Sequence, residues 1–216
     1  MTDTPVRAQS ADPSQWWTAP VLAGSMVRLE PLTTDHAPGY AAALGDPTVA
    51  DEVFRWLRMD PPRDEAQARA QIAEALEQRA GGIRLPFAQL DAASGEVIGT
   101  TSYYEIDPDA RSLAIGYTWL ARDRQRTGAN TESKLMLLTR AFEVLGAVRV
   151  VWHTDIRNER SRAAIARLGA QQEGVLRKHK PRLDGTWRDT VQFAMTDDDW
   201  PAARAALHAA LERQRG

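Results

Sequence analysis

Residues 113–145 constrain the fold and the chemistry of this chain more than any other segment. LAIGYTWL at 113–120 is typical of a buried strand, a turn rich in arginine and threonine follows it, and an amphipathic helix at 131–145 ends at Gly146. A strand that leads through a glycine-containing loop into a helix start points several backbone N–H groups and the positive end of the helix dipole at one place. The segment therefore predicts a phosphate or pyrophosphate site, such as a nucleotide-like cofactor needs.

The overall composition fits an enzyme with one globular domain. The chain has 216 residues, of which 43% are hydrophobic and 26% charged, and this is enough for a sizeable core. Because the formal net charge is −2, we expect no sequence-specific nucleic-acid binding. The absence of cysteine excludes disulfides and thiolate nucleophiles, and the four histidines lack metal-ligand spacing, so no metal is expected.

The N-terminal residues predict a location inside the cell. Residues 1–15 are polar and lack the basic patch and apolar run of a secretory signal, and no apolar run in the chain is long enough to cross a membrane. We expect residues 1–15 to be a flexible segment and residues 16–216 to form a single domain. The protein is expected to be cytoplasmic and to have no membrane partner.

Hydrophobic periodicity predicts a mixed α/β domain. Helices are expected at 35–44, 63–79, 131–145, 158–168 and 197–213, with a further short segment at 49–57. Strands are expected at 26–32, 84–91, 97–105, 112–120, 148–154, 175–178 and 189–195. A strand-helix-strand crossover makes the strands at 112–120 and 148–154 parallel. The fold class is therefore a mixed, mostly antiparallel sheet with one parallel pair, flanked by helices.

The loop at 122–131 does not match the common nucleotide-binding motifs. It has no Gly-Lys-Ser/Thr and only one glycine, so it is neither a P-loop nor GxGxxG, and ATP and NAD become poor candidates. What remains is Gln125-x-x-Gly128-x-Asn130, in which Gly128 lets the backbone approach a ligand and Asn130 or Thr131 caps the helix. A plain strand-to-helix connector would show the same pattern.

A second motif follows the next strand, at 155–161. Asn158 and Ser161 are three residues apart at a predicted helix start and so lie near one face. Alone, Asn158 is an ordinary N-cap and Ser161 an ordinary solvated helix residue. The order strand, Q-x-x-G loop, helix, strand, N-x-x-S helix and then Leu168-Gly169-Ala170 is more specific than any of its parts.

Taken together, these motifs resemble the GNAT superfamily of acetyl-CoA-dependent N-acetyltransferases over about Val27 to Met195. V-R-L-x-P-L at 27–32, T-E at 131–132, N-x-x-S at 158–161 and D-G-T-W-R-D at 184–189 are similar to the branch that contains the ribosomal-protein alanine N-acetyltransferases. The resemblance implies direct transfer of an acetyl group from acetyl-CoA, the cosubstrate, to a primary amine in a ternary complex. The amine would belong to a protein N-terminus or a small molecule, and a homodimer is compatible with the resemblance.

The resemblance also implies roles for individual residues. The pyrophosphate of coenzyme A is expected at the backbone N–H groups of the loop, and the pantetheine arm between strands 113–120 and 148–154. The N–H of Leu120 would stabilise the thioester carbonyl oxygen, Asn158 would contact the arm, and Ser161 would donate a proton to the departing thiolate. The residues implied in coenzyme A binding are Trp119, Leu120, Gln125, Arg126, Thr127, Gly128, Ala129, Asn130, Thr131, Asn158 and Ser161.

The general base is the part that the resemblance leaves open. Many members carry Glu just before the Ile-Gly-Tyr of the strand, where this chain has Ala114, and others carry a Tyr where it has Ile165. The candidate bases are Asp189, which we rank first, Glu105 and His153. Asp189 could equally well be a structural carboxylate paired with a nearby arginine. His153 could be a core residue, as a histidine in an apolar strand often is.

Other interpretations also stay open. The absent acid groups fit a non-catalytic module that binds or senses acyl-CoA. The basic residues between 149 and 182 are typical of solvated faces, although one or two would suit the 3′-phosphate of coenzyme A or an acidic or RNA-bound substrate. The helices at 35–79 would form one wall of an acceptor pocket, for which the candidate aromatic residues are Trp56, Trp152 and Trp187.

Overall fold

A mixed β-sheet organises residues 12–215, the part of the chain that a computed structural model describes. Its strands are β1 (Leu22–Ala23), β2 (Val27–Pro31), β3 (Arg84–Asp91), β4 (Val97–Asp107), β5 (Ser112–Leu120), β6 (Arg149–Asp155), β7 (Gln171–Pro181) and β8 (Trp187–Thr196). Residues 1–11 of the expected flexible segment lie outside the described residues. Pro13–Trp17 forms a 3₁₀ helix that buries Trp16.

Helices cover both faces of this sheet. They are α1 (Ala37–Leu44), α2 (Pro47–Phe54), α3 (Glu65–Ala80), α4 (Ala129–Thr139), α5 (Glu159–Arg167) and α6 (Trp200–Arg215). One apolar cluster lies between the sheet and α4 to α6, and a second lies between the sheet and α1 to α3. No helix within residues 12–215 is long and apolar enough to cross a membrane.

The strand order in the sheet is β1-β2-β3-β4-β5-β6-β8-β7. All neighbouring pairs are antiparallel except β5 and β6, which are parallel and are joined through α4. A crossover helix between adjacent strands forces this parallel arrangement. The predicted fold class, a mixed and mostly antiparallel sheet with one parallel pair, is confirmed.

The predicted element boundaries need several corrections. The strands expected at 175–178 and 189–195 are longer, because β7 and β8 form one extended hairpin. The helix expected at 131–145 begins at Ala129, and its last turn, Arg140–Val144, is a π-helix. No sequence pattern predicted the two-residue strand β1, which is too short to show alternation.

Local capping explains where several helices begin. Asp46 accepts a hydrogen bond from the Thr48 N–H, and Asp64 accepts one from the Gln67 N–H, so each side chain satisfies a free amide in a first helical turn. α1 ends at Gly45, whose φ of 61° lies in the left-handed region that glycine adopts without strain. These ends fix α1, α2 and α3 over one face of the sheet.

Candidate active site

Strands β5 and β6 separate before they end. They pair only through residues 112–114 and 149–151, although β5 continues to Leu120 and β6 to Asp155. The backbone edges of 115–120 and 152–155 therefore face a gap in the sheet, which we call the splay. The splay has the position at which the sequence analysis expects the pantetheine arm.

A β-bulge in β5 accompanies the splay. Thr100 pairs with Trp119 and Ser102 with Gly116, so Tyr117 and Thr118 together oppose one residue of β4. Tyr117 has a φ of 50°, which is uncommon for an aromatic residue. Because a bulge bends its strand and increases the local twist, this one explains why β5 turns away from β6.

The main chain of Leu120 faces the splay. The next residue, Ala121, donates its N–H to the Ile98 carbonyl on the β4 side, at 2.8 Å. Since successive residues of a strand point to opposite edges, the main-chain groups of Leu120 point away from β4. The Leu120 carbonyl accepts a hydrogen bond from Gln125 Nε2 at 3.0 Å, and Gln125 Oε1 accepts one from Arg160 at 2.7 Å.

Trp119 directs its main chain toward β4, where its carbonyl accepts a hydrogen bond from Gln89 Nε2 at 3.2 Å. Its side chain is buried among aromatic residues, with the Tyr40 ring 4.7 Å and the Phe54 ring 5.6 Å away between centroids. Neither the side chain nor the carbonyl of Trp119 therefore faces the splay, where the sequence predicted a contact with the pantetheine arm.

The loop that follows β5 concentrates backbone N–H groups at the start of α4. Arg122–Arg124 forms a 3₁₀ turn, and Arg126 and Gly128 have φ values of 67° and 89°. Thr127 Oγ1 donates to the Arg124 carbonyl at 2.8 Å and holds the turn. Alternation of left-handed and right-handed residues produces a concave set of N–H groups that suits an anion.

The N-cap of α4 is Gly128, not Asn130 or Thr131. The sequence-based prediction was wrong because the first helical residue is Ala129, which leaves Asn130 and Thr131 inside the first turn. Their N–H groups, with that of Ala129, belong to the free amides of a helix start. The anion site expected from the sequence is thus composed of main chain.

Gly128 also lies where three elements meet. A Cβ built on it would lie 2.2 Å from Gln214 Oε1 of α6 and 3.1 Å from the Met26 Cε. The end of α6 and the chain before β2 therefore border the loop. Neither contact follows from local sequence patterns, because Gln214 and Met26 lie 86 and 102 positions from Gly128.

Glu132 is a structural residue that sequence reasoning missed. Its buried carboxylate accepts hydrogen bonds from Ser25, Met26 and Val27, with N–O distances of 2.7 to 2.9 Å. Burial raises the pKa of Glu132, but these hydrogen bonds outweigh it and hold the pKa below its ordinary value. Glu132 thereby fixes the loop and α4 to the start of β2.

Asn158 and Ser161 lie at the start of α5, next to the end of β6. Asn158 is the N-cap, and its Oδ1 accepts the Ser161 N–H at 3.0 Å. The Ser161 side chain is half-buried. This capping bond fixes the first turn of α5 beside the splay, whether or not the two residues also contact a ligand.

The carboxylate candidates for a base lie in different surroundings. Asp189 Oδ1 accepts the Lys178 N–H at 2.7 Å, across an irregular part of the β7–β8 pair. Glu105, in an exposed bend of β4 with a φ of 48°, has Oε2 3.7 Å from His153 Nδ1. Among residues 12–215, no three His, Asp or Glu residues are arranged to hold a metal ion.

His153 lies on β6 at the splay and contacts several polar groups. Its Nδ1 is 2.9 Å from the Tyr104 hydroxyl, which crosses β5 to reach it. This crossing requires Gly116, because a Cβ there would lie 2.7 Å from Tyr104 Cε1. Burial, and after it the charge of Glu105, raise the pKa of Tyr104. The hydroxyl is therefore protonated at neutral pH and available as a donor.

A chain of hydrogen bonds selects the tautomer of His153. Arg149 pairs with Glu173 and lowers the pKa of Glu173 to about 2, so this carboxylate accepts the Gln192 Nε2 donor at 3.1 Å. The amide oxygen of Gln192 is consequently the atom 3.2 Å from His153 Nε2, and an oxygen requires a donor. In the tautomer that this contact favours, Nε2 carries the proton and Nδ1 is an acceptor for the Tyr104 hydroxyl.

A buried ion pair closes the far end of the splay. Asp155, 3% exposed, receives two hydrogen bonds from Arg182 at 2.7 and 3.0 Å and one from the Arg157 N–H at 2.9 Å. Burial raises the pKa of Asp155, but the Arg182 hydrogen bonds and charge hold it below its ordinary value. Several residues of the basic stretch 149–182 are thus paired rather than simply solvated.

A small cavity lies between the sheet and helices α1 to α3. Its volume is about 20 Å³, enough for one water-sized group. Its polar lining consists of Tyr40, Gln71, Arg84, Thr100, Ser102 and Tyr117. Residues of the segment 35–79 line this cavity, and none of the three candidate tryptophans does. Trp152 is buried in the other apolar cluster, and Trp187 is exposed on the β7–β8 hairpin.

The chain matches the family model described as the acetyltransferase (GNAT) domain over residues 27–171. It is 30% identical over 180 residues to the uncharacterized N-acetyltransferase YoaA of Bacillus subtilis (strain 168), which covers 82% of this chain and 96% of that protein. It is 24% identical over 155 residues to the ribosomal protein uS5 alanine N-acetyltransferase of Escherichia coli (strain K12), covering 67% of this chain and 77% of that enzyme.

Solved structures agree with the sequence matches. A GCN5-related N-acetyltransferase from Brucella melitensis superposes with a TM-score of 0.83 and 32% identity, covering 89% of this chain and 85% of that one. Mycobacterium smegmatis RimJ, solved in complex with CoA-disulfide, superposes with a TM-score of 0.72 and 26% identity, covering 89% of this chain and 92% of that one. This chain therefore belongs to the GNAT family, is an acetyl-transferring enzyme, and resembles the branch that includes ribosomal-protein alanine N-acetyltransferases.

Proposed function

We propose that this enzyme transfers the acetyl group of acetyl-CoA directly to a primary amine while both substrates are bound. The observation that carries the proposal is the splay between β5 and β6, which opens beside a loop with clustered N–H groups. An extended pantetheine arm fits beside free strand edges, and a pyrophosphate fits at a helix start. Mycobacterium smegmatis RimJ, a neighbour solved in complex with CoA-disulfide, superposes on 89% of this chain.

The residues present fit coenzyme A. Gly128 brings the main chain of the loop close to neighbouring elements where a side chain would collide, as close approach to a pyrophosphate requires. Main-chain groups of Leu120 would hold the arm, and Asn158 would contact it. The backbone of the loop, flanked by Gln125, would hold the phosphates, through Arg126, Thr127, Gly128, Ala129, Asn130 and Thr131.

The geometry favours His153 as the proton acceptor over the first-ranked Asp189. An ammonium group must lose a proton before its nitrogen attacks a carbonyl carbon. His153 Nδ1 is the acceptor nitrogen of the neutral ring, and the Tyr104 hydroxyl is in place to take a proton from the amine while passing its own to Nδ1. The Asp189 carboxylate instead holds the Lys178 amide, so it remains a candidate with a competing structural role.

Ser161 completes the balance of the reaction. Acetyl-CoA supplies the acetyl group as a thioester, whose C–S bond breaks as the C–N bond to the amine forms. The proton that the ammonium loses passes to His153. As the intermediate collapses, Ser161 would give its proton to the sulfur and recover the second proton that the nitrogen releases, so the products are the amide, the free thiol and one proton held by His153. The chain has no cysteine to carry an acetyl group, which is consistent with direct transfer.

The acceptor is a primary amine of a protein N-terminus or of a small molecule. The uS5 enzyme acts on an alanine, and that assignment belongs to that relative. Cytoplasmic location and a homodimer remain predictions for this chain. The alternative is a module that binds or senses acyl-CoA without catalysis, and an activity assay distinguishes it from an enzyme.

The test is release of free thiol from acetyl-CoA in the presence of a panel of amines. We expect thiol release and N-acetylated product for at least one amine. The His153→Gln variant should lose at least about 100-fold in kcat with coenzyme A affinity unchanged, as expected for a general base. The matched Asp189→Asn variant should lose much less. Binding of acetyl-CoA without thiol release for any amine would support a sensor instead.

A further inference from the structure

Arg84 is a buried cation that has no anionic partner in this structure. It is 6% exposed, and of residues 12–215 no carboxylate forms an ion pair with it. Its Nε also lacks a hydrogen-bond acceptor. A guanidinium stays protonated even when burial lowers its pKa, and a buried charge without a partner is costly. An anionic ligand would therefore stabilise the buried Arg84 guanidinium.

The surroundings of Arg84 direct it to the cavity beneath α1 to α3. The guanidinium lies 4.2 Å from the centre of the Tyr117 ring and lines the cavity with Tyr40 and Gln71. The carboxylate whose charge reaches Arg84 is that of Glu74, which is exposed and accepts a hydrogen bond from Gln78 at 2.9 Å. Glu74 therefore does not fill the cavity.

The cavity and the proposed reaction centre share one residue. Tyr117 lines the cavity, is 41% exposed on its other side, and forms the bulge that opens the splay. The edge of the same ring meets Tyr104, with centroids 5.4 Å apart, and Tyr104 contacts His153. A small molecule that places one end at Arg84 would therefore extend past Tyr117 toward the proposed proton acceptor.

We infer that the cavity binds the carboxylate of the acceptor, so that the acceptor is a small amine that also carries a carboxylate, such as an amino acid. This inference rests on the proposed acetyl transfer. A carboxylate matches the fork of a guanidinium, and one of its oxygens would fill the cavity of about 20 Å³, which has room for one water-sized group and is too small for a phosphate or a ring. Tyr40, Gln71, Thr100 and Ser102 supply further polar contacts around it.

The first experiment compares thiol release with amino acids and with their primary amides. The amide removes the negative charge but keeps the amine, and it makes the amine less basic, so amine reactivity alone would favour the amide. We expect kcat/KM to be at least about tenfold higher for the amino acids, because a site with a buried charge rejects an analogue that leaves it unpaired.

Variants of Arg84 assign this preference to the cavity. Arg84→Met should remove it by raising KM for amino acids with kcat little changed, and Arg84→Lys should restore part of it. Arg140→Met is the matched control, since Arg140 is also buried but donates to the Gln15 and Thr18 carbonyls and does not line the cavity. It should keep the preference. Two results would overturn this inference and leave the proposed acetyl transfer intact. One is turnover with no preference for amino acids, and the other is an equal loss of kcat/KM for acid and amide in Arg84→Met.

A second measurement decides the point without catalysis. The ¹⁵N NMR signal of the Arg84 Nε–H, assigned by its absence in Arg84→Met, should shift as acetate is added and should not shift with acetamide. An acetate-independent signal contradicts the inference. If no amine releases thiol but acetate still shifts this signal, the proposed acetyl transfer fails while the carboxylate site stands.

Discussion

The coenzyme A side and the acceptor side of the candidate active site are built from different parts of the polypeptide. On the proposed coenzyme A side, the groups available to the ligand are main-chain atoms of Leu120 and of residues 126–131, fixed by a bulge, a glycine and a helix start. On the acceptor side, the groups are side chains from separate elements, with Arg84 on β3, Tyr104 on β4 and His153 on β6.

This difference explains why the family is easy to recognise and the acceptor is not. A main-chain site needs a particular backbone path, and most side chains along it can vary as long as glycine stays where φ is positive. A side-chain site can be replaced residue by residue without a change of fold. Here the positions where many relatives carry an acid hold Ala114 and Ile165, both buried and apolar, and a different cluster surrounds the splay.

The strongest test of a main-chain coenzyme A site is Gly128→Glu. The new side chain would collide with Gln214 and bring a negative charge to the proposed phosphate site. Because like charges in contact cost several kcal/mol, we expect coenzyme A affinity to fall at least about 1,000-fold by calorimetry. Gly45→Glu has the same kind of positive φ but open space around it, and it should bind normally. Unchanged affinity in Gly128→Glu would refute the loop assignment.

The next largest effect concerns the Asp155–Arg182 pair, which ties the end of the splay to the β7–β8 hairpin. Asp155→Asn leaves Arg182, 12% exposed at its side chain, without its charge partner, and we expect it to lower the free energy of unfolding by about 3 kcal/mol at neutral pH. Urea unfolding measures this loss.

The pH dependence of this loss has a definite sign. The folded-state pKa of Asp155 is held below its ordinary value of 3.8, so the stabilisation is present above 3.8 and is lost as the pH falls from 3.8 through the lower folded-state pKa. The stabilities of the wild type and of Asp155→Asn should therefore converge in acid. A gap that persists at low pH would mean that the aspartate acts through packing rather than charge.

Sequence patterns predicted the parts of the molecule that depend on neighbouring residues. The bounds of β3 and β5 follow directly from apolar runs between turn residues, and Gly128 marks the loop because only one glycine occurs there. The sequence also allowed Asn158 to be an ordinary N-cap, and it is the N-cap of α5. Each of these features is decided within a few residues of chain.

What the sequence did not show depends on contacts between distant residues. Arg84 looks like any strand-end arginine, and only the packing of α1 to α3 buries it. Glu132 was noticed as part of a family motif, but its three backbone contacts lie more than 100 positions earlier. One signal was available: Gly116 inside a buried strand indicates close approach by another group, which proves to be Tyr104.

Ser161 lies between the two sides of the site and gives a smaller effect. If its hydroxyl protonates the departing sulfur, Ser161→Ala should lower kcat about tenfold and leave coenzyme A affinity unchanged, since a thiolate is a moderate leaving group. Stopped-flow thiol detection and calorimetry separate the two quantities. Ser161→Thr keeps a hydroxyl and is the control. An equal loss of coenzyme A affinity would mean that Ser161 contributes to binding instead. An unchanged kcat would mean that Ser161 is only a residue of the first turn of α5.

The smallest expected effect concerns Lys134, which supports the β5 bulge between the two sides of the site. Lys134 of α4 is fully buried under the β5 bulge, where its Nζ donates to Thr101 Oγ1 and Thr118 Oγ1 at 2.9 Å. Burial lowers the pKa of Lys134 to about 7 from an ordinary 10.5. Between these values the unfolded chain holds one more proton than the folded protein, so stability rises with pH. Below about pH 7 both states are protonated and this dependence ends.

Lys134→Met removes that titration and therefore isolates it. Relative to this variant, the wild type should gain about 1 kcal/mol of unfolding free energy from pH 7 to pH 8, as the charged amine no longer has to be buried. Urea unfolding of both proteins at several pH values measures the difference. A difference that stays constant with pH would show that Lys134 keeps its charge in the folded state, held by the two threonines. A buried cation would then hold the bulge in place. The backbone geometry of the coenzyme A side would in that case depend on a side chain, as the geometry of the acceptor side does.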